Sequence, residues 1–329
     1  MKKKIVKVFT KKIQKVIGKG SHQLHEPLFT GKEKKYLQHT INQNFVSTAG
    51  QYVNEFEKKI KKFTKAKYAI AVVNGTQAIH IALQVCGIKK NDEVLIPALT
   101  FVATANAVSY LGARPHFVDS KMENFGIDCI KLEKYLNKIT KIKNKKCINK
   151  LTGNIIKAIV PVHVFGHPCD IQGIIKIAKK FNLIVVEDAA GALGSFYNKK
   201  HLGTFGTIGC FSFNGNKIIT TGGGGMVITN KSNFAKKIKH LTTTAKRKHK
   251  WEYIHDEIGY NFRMPNLNAA LGLAQLEKIH TFIKAKKKLF KKYFNIFEEE
   301  KDVSVFKQPV NSNSNYWLQT LVLKKKILS

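Results

Sequence analysis

Acidic residues are scarce in this chain. Its 329 residues hold 21 Asp and Glu against 57 Lys and Arg, a formal charge of +36 at neutral pH. Arginine is nearly absent, occurring only at Arg114, Arg247 and Arg263. Bidentate reading of bases and phosphates leans on the arginine fork, so a surface of scattered lysine argues against nucleic acid as a partner. Such a surface still attracts a small anionic ligand. Cysteine is sparse and unpatterned: Cys86, Cys129, Cys147, Cys169 and Cys210 contain no C-x-x-C pair and are odd in number. That argues against a disulfide framework or a zinc site, and for a reducing, cytoplasmic compartment. No run reaches the ~18 apolar residues of a membrane span. The opening is basic like an export signal, yet Lys7, Lys11, Lys12 and Lys15 interrupt the apolar stretch such a signal needs. Val6, Phe9, Ile13, Val16 and Ile17 fall near helical spacing, which predicts a short amphipathic helix, solvated or packed, in a basic extension over 1–23.

What is present is a 43% hydrophobic chain, long enough for one large domain or two unequal ones. Strand and helix signals alternate. Tyr68–Val73 reads as a strand, Thr76–Cys86 as a helix stopped by Gly87, and Val94–Ile96 as a strand. Phe101–Leu111 follows as a helix and His116–Val118 as a strand. Later come strands at Ile155–Val162, Leu183–Val186, Ile208–Phe213 and Met226–Thr229, with a helix at Ile171–Lys180. Alternation of this kind predicts an α/β fold with a mostly parallel wound sheet covered on both faces. The Lys-rich stretch Lys138–Lys150 reads as an exposed loop. A helical run from about Asn268 to Phe297 reads as a linking helix into a smaller domain, giving a large domain over 24–267 and a partial small one over 268–329.

In wound sheets ligands bind beyond the carboxyl ends of the strands, and three clusters stand there. Asn74-Gly75-Thr76 opens a helix, and a helix N-terminus offers free N–H groups and positive dipole to a phosphate. Alone the signal is weak, and an ordinary turn and cap is the commoner reading. Asp188, in Glu187-Asp188-Ala189-Ala190, ends a buried strand, where a carboxylate is costly without a partner. A protonated pyridine nitrogen is such a partner; a capping role is the alternative. Ser212-Phe213-Asn214-Gly215-Asn216-Lys217 precedes the glycine run 222–225. A lysine desolvated there can form a Schiff base, and Ser212 can bond a phosphate; a Gly-rich hairpin with a surface lysine is the plainer reading. Together, phosphate seat, pyridinium carboxylate and lysine describe one pyridoxal 5'-phosphate (PLP) site.

The text around these clusters resembles the DegT-type nucleotide-sugar aminotransferases of PLP fold type I. The resemblance is carried by NGTQAIHIAL (74–83), IPALTFVATANAV (96–108), PVHVFGHPCD (161–170), VEDAAGALGSF (186–196), GTFGTIGCFSFNGNKIITTGGGGM (203–226) and GYNFRMPNLNAALGLAQLE (259–277). It implies that Lys217 is the Schiff-base lysine and proton shuttle and that Asp188 pairs with the pyridine nitrogen. It also implies that Gly75, Thr76 and Ser212 hold the phosphate, that Phe101 and Ala190 cover the two ring faces, and that Asn261 reaches the phosphate from the neighbouring subunit of a homodimer. Finer likeness, in 24–37 and 242–263, implies glutamate as donor and C4 of a UDP-linked 4-keto-6-deoxy-N-acetylhexosamine as acceptor, for a surface glycan. His163 lies close by without an assigned role. Lys217 argues against the related sugar dehydratases, which the resemblance implies carry histidine there. The sequence departs from the family pattern at Gly191, where many relatives have Gln, His or Glu beside the ring hydroxyl. It also stops soon after Asn315–Thr320, which implies a truncated small domain, with Lys324–Ser329 as a fragment end or shifted tail. These departures keep a regulatory, non-catalytic transferase fold as the alternative.

Overall fold

Short apolar runs, punctuated by Asn, Asp and Gly, set the order of elements. The computed structural model describes residues 2–48, 50–247 and 249–323, with side chains from Val6 onward. Helices α1 (Lys2–Ile17), α2 (Glu33–Asn42) and α3 (Gln51–Thr64) precede β1 (Tyr68–Val72), α4 (Gly75–Val85), β2 (Glu93–Pro97), α5 (Val102–Ser109) and β3 (Arg114–Val118). Then come α6 (Cys129–Ile139), β4 (Thr140–Lys143), β5 (Lys146–Asn149), β6 (Ile155–Ile159), α7 (Ile171–Lys180) and β7 (Ile184–Asp188). Strands β8 (Phe196–Tyr197), β9 (Lys200–His201), β10 (Ile208–Ser212) and β11 (Gly225–Thr229) lead to α8 (Ser232–Thr242), α9 (Asn266–Glu277) and α10 (Ile279–Phe297). Three short strands close the described chain: β12 (Val303–Val305), β13 (Ser312–Asn313) and β14 (Leu321–Leu323). Side chains start several helices. Asn74 accepts from the Gln77 amide at 2.8 Å, Asp128 from the Ile130 and Lys131 amides, and Asp170 from the Gly173 amide at 3.0 Å. Each cap satisfies donors that would otherwise have no partner, worth about 1 kcal/mol.

The main sheet runs β1-β11-β10-β7-β6-β2-β3. Neighbours β10, β7, β6, β2 and β3 are parallel, as expected; β11 is antiparallel to both β10 and β1. The reversal follows from the connection. A glycine-rich loop, with no crossover helix, joins β10 to β11, and without such a helix the chain turns back beside β10 as an antiparallel neighbour. Alternation then assigns the faces. Ile70, Val72, Ile208, Cys210 and Val227 pack with Ile79 and Leu83 of α4 and Ile238 and Leu241 of α8. Ala69, Ala71, Phe211, Met226 and Ile228 pack on the other face with Phe56 and Ile60 of α3 and Leu273 of α9. Leu95, Ile159 and Val185 continue that second face under Leu132 and Leu136 of α6 and Ile174 and Ile177 of α7. Each fully buried Leu, Ile or Phe contributes roughly 1.5–3 kcal/mol.

Two expectations need correction. Lys138–Lys150 is not an exposed loop: β4 and β5 form an antiparallel hairpin, and β5 pairs with β6. The turn is Asn144-Lys145, both at positive φ (50° and 58°), the geometry that lets a two-residue loop match strand twist. Buried Thr140, Cys147 and Asn149 alternate with exposed lysines, and the lysines conceal the period. The long run after Asn268 is two helices, α9 and α10, parted at Lys278 (φ −101°, ψ 0°).

The N-terminal amphipathic helix is packed. Phe9 of α1 meets Phe297 edge-on at 5.8 Å, and Lys12 donates to the Ile296 carbonyl at 3.0 Å and pairs with Glu300. Strands β12 and β14 pair beside that contact, while β13 pairs with β8 and so ties the C-terminal segment to the region just past Asp188. The reading of Lys324–Ser329 as a tail lies outside the described residues. Among the described residues no helix is long and apolar enough to cross a membrane.

Candidate active site

The parallel strands of the main sheet end at one edge, and residues at or just beyond their ends make the site. Asp188 closes β7 with 5% of its surface exposed. Thr104, one turn into α5, donates its hydroxyl to Oδ2 at 2.7 Å, and the Ala190 amide donates to Oδ1 at 3.1 Å. A carboxylate accepts about four bonds, so two donors leave it capacity for a further proton-bearing group. Its neighbour Glu187 points to the other side of the strand. Glu187 Oε1 accepts from the Phe205 and Gly206 amides at 2.7 and 2.6 Å, and Oε2 from the Gly203 amide at 2.8 Å. His163 Nε2 lies 3.0 Å from the same Oε2, with both side chains fully buried. Burial alone would pull the His163 pKa down; contact with Cys169 and Glu187 outweighs it and holds the pKa up at about 10. The His163 backbone amide donates to the Asp188 carbonyl at 3.0 Å. This buried pair thus fixes the strand end that presents Asp188.

Lys217 follows β10 through a turn closed by its amide on the Asn214 carbonyl at 3.0 Å. Its Nζ sits 3.8 Å from the centroid of the Trp317 ring. Burial lowers its pKa to about 8, against an upward pull from the Asp188 charge. That pull places amine and acid in one electrostatic neighbourhood, and the lowered pKa gives a lysine able to act as a nucleophile near neutral pH.

The anion seat is where α4 begins. Asn74 engages the Gln77 amide, and the amides of Gly75 and Thr76, at the first helical positions, have no acceptor inside the helix. A Cβ on Gly75 would lie 2.7 Å from Ser212 Cβ and 3.1 Å from its Oγ. Only glycine therefore lets the helix start close on Ser212, which puts the first helical amides beside the Ser212 hydroxyl. Cys210 is the register partner of Asp188, so Ser212 stands two residues further along the adjacent strand, at the same edge.

The sequence-predicted residues Gly75, Thr76, Asp188, Ala190, Ser212 and Lys217 thus share one edge. Phe101, 77% exposed, caps α5 at its rim, where its carbonyl accepts from the Thr104 amide. Asn261 is not gathered into this chain's edge. It is exposed and bridges to Thr243, while the next carbonyl, of Phe262, accepts from the Val73 amide. The sequence reading missed Thr104, whose signal was its one-turn spacing from Thr100-Phe101. It also missed Trp317, which fills the space over Gly191, and Asn315, whose Nδ2 clamps the Gly191 and Leu193 carbonyls at 2.8 and 2.9 Å. The residues present fit PLP: an amide-lined cradle that a Cβ would fill, a buried acid with spare acceptor capacity and a desolvated amine.

A sheet with this strand order, carrying those groups at its carboxyl edge, defines a PLP-dependent enzyme of fold type I. The chain belongs to the DegT/DnrJ/EryC1/StrS aminotransferase family, whose sequence profile matches residues 28–327, and is a PLP-dependent sugar aminotransferase. It is 41% identical over 304 residues to the GDP-perosamine synthase of Escherichia coli O157:H7, spanning 92% of this chain and 78% of that one. It is 34% identical over 236 residues (71% and 58% of the two chains) to the UDP-N-acetyl-3-dehydro-alpha-D-glucosamine 3-aminotransferase of Acidithiobacillus ferrooxidans. Among solved structures, Helicobacter pylori PseC, an aminotransferase involved in the biosynthesis of pseudoaminic acid, superposes with a TM-score of 0.84 at 27% identity, over 93% of this chain and 79% of that one.

Proposed function

We propose that this chain transfers an amino group from glutamate to the C4 carbonyl of a nucleoside-diphosphate-linked 4-keto-6-deoxyhexose, as a homodimer supplying a surface glycan. The relative at 41% identity is named for a GDP-linked sugar, which favours GDP as the carrier. The finer sequence likeness instead supports a UDP-linked N-acetyl sugar, and a relative at 34% identity is named for a UDP-linked acceptor. The two carriers are the two arms of the test below.

Bound PLP supplies an electrophilic carbonyl and an electron-accepting ring. Lys217 would hold it between turnovers and, as a free amine, would move a proton between the carbons at the site; its lowered pKa leaves much of it neutral near pH 8. Asp188, oriented by Thr104 and the Ala190 amide, keeps the pyridine nitrogen protonated. The Gly75 and Thr76 amides and the Ser212 hydroxyl take the phosphate. Phe101 and Ala190 would bound the ring on its two faces, and Asn261 of the neighbouring subunit would complete the phosphate seat. Residues 24–267 form the cofactor-binding domain and 268–329 the linking helices and small domain.

The observation that carries this reading is the convergence of Lys217, Asp188 and the Gly75–Ser212 contact on one sheet edge. The test incubates the full chain with PLP, glutamate and either the GDP-linked 4-keto-6-deoxyhexose or the UDP-linked 4-keto-6-deoxy-N-acetylhexosamine. The expected product has one oxygen exchanged for nitrogen and three hydrogens, with 2-oxoglutarate formed in equal amount. No product with either carrier, from protein that retains PLP, would refute the proposed acceptor.

A further inference from the structure

Gly191 and Trp317 are complementary in size. A Cβ at 191 would run into the indole, 2.7 Å from Cζ3 and closer still to Cε3. Trp317 is 9% exposed, and its Nε1 donates at 2.6 Å to the carbonyl of Asn216, the residue before Lys217. Its amide donates to Asn315 Oδ1 at 2.8 Å, and the Asn315 amide nitrogen Nδ2 holds the Gly191 carbonyl. The ring is therefore tied to Asn216 by its own N–H while Asn315 holds the Trp317 backbone, and the ring face meets the Lys217 amine 3.8 Å from the centroid. We propose that Trp317 is a positioning residue for Lys217: the indole occupies the room left by Gly191 and forms the wall that holds the amine in the site. The proposal rests on Lys217 being the cofactor lysine.

An aromatic face attracts an ammonium and, by excluding water, also lowers the cost of losing its charge. Trp317 should therefore sense the protonation state of Lys217. Other titrating groups near the pair behave differently. Asp188 is the charged group acting on Lys217. His167, which meets the neighbouring Tyr316 ring, is lowered to about 4 by burial, and Tyr316 is raised from 10.0. Lys286, whose carbonyl accepts from Gln319, is lowered by burial to about 8 and so needs its own control.

The chain has two tryptophans, and Trp251 is 79% exposed and outside the site, so Trp251→Phe leaves Trp317 as the sole indole. The experiment follows its emission in the cofactor-free protein from pH 6.5 to 10. The expected result is a transition centred near pH 8 that disappears in Trp251→Phe/Lys217→Met. Flat emission, or a transition that survives loss of the amine and so belongs to Lys286, would overturn the proposal. A second readout is the pH dependence of PLP incorporation at Lys217, trapped with borohydride. Trp317→Phe should keep the midpoint within a few tenths of a unit, and Trp317→Ala should raise it by about one unit or more. Equal midpoints in the two variants would also sink the proposal. If PLP were trapped elsewhere than Lys217, the assignment of the cofactor lysine would fail instead, and the emission result would stand apart from it.

Discussion

Replacing Lys217 by Met removes an amine that the folded protein holds against its own solvation. In the unfolded chain that amine has its ordinary value of 10.5; burial in the fold lowers it to about 8. Between those values the unfolded state binds more protons, so this group's contribution to stability rises with pH. Below pH 8 the full penalty applies. At ~1.4 kcal/mol per pH unit it is on the order of 3 kcal/mol, already net of the favourable Asp188 charge. Lys217→Met, which keeps a flexible apolar chain against Trp317, should therefore stabilise the cofactor-free protein by about 2–3 kcal/mol at pH 7. With unfolding entropies of ~2.1 cal/mol/K per residue, that is a rise of about 3–4 °C in Tm. The advantage should shrink as pH rises through 8 and approach zero near 10.5. Urea or thermal unfolding of both proteins at pH 7 and at pH 9.5 measures it. Equal or lower stability of the variant at pH 7, or a difference indifferent to pH, would refute the claim that this lysine is desolvated for function at the expense of stability.

Gly75→Ala should cost about 1–3 kcal/mol by pressing a methyl onto Ser212, and should weaken PLP retention in equilibrium dialysis at the same time. Thr104→Val removes one of two donors to buried Asp188, for a loss of about 1–3 kcal/mol, and PLP affinity should fall with it; unchanged affinity by titration would release Thr104 from that role. Glu187→Gln strips His163 and three amides of their carboxylate, a loss of about 3–5 kcal/mol visible in Tm. His163 is raised from 6.5 to about 10, so its pairing stabilises fully below pH 6.5 and is lost as pH climbs through 10. The wild-type advantage over Glu187→Gln should follow that same fall.

The strands and helices that build the sheet were legible because apolar period and turn residues agreed: Ile171–Lys180 is a helix at those limits, and Tyr68–Val73 a strand to within one residue. The β4–β5 hairpin was hidden because its solvent face is lysine, which also dominates genuine loops here, and the one cue was Asn144-Lys145. The break at Lys278 carries no Gly or Pro to announce it. In the site, Asp188, Ser212 and Gly75 could be read because each lies at or just past the end of a strand, where chain direction alone brings residues together. Trp317 could not, since it lies 126 positions beyond Gly191 and is brought to it by tertiary ties such as Asn315 and the pairing of β13 with β8. Gly191 stood out in the sequence as a departure, and its partner is visible only once the chain is folded.

The most direct test asks which lysine takes the cofactor. The chain has 54 of them, the 57 Lys and Arg less three Arg. Adding PLP to the protein, reducing with borohydride and mapping the labelled peptide should place one pyridoxyl group per chain on Lys217. A single label on another lysine, or label spread in proportion to exposure, would contradict the convergence of amine, acid and anion cradle on which the account stands.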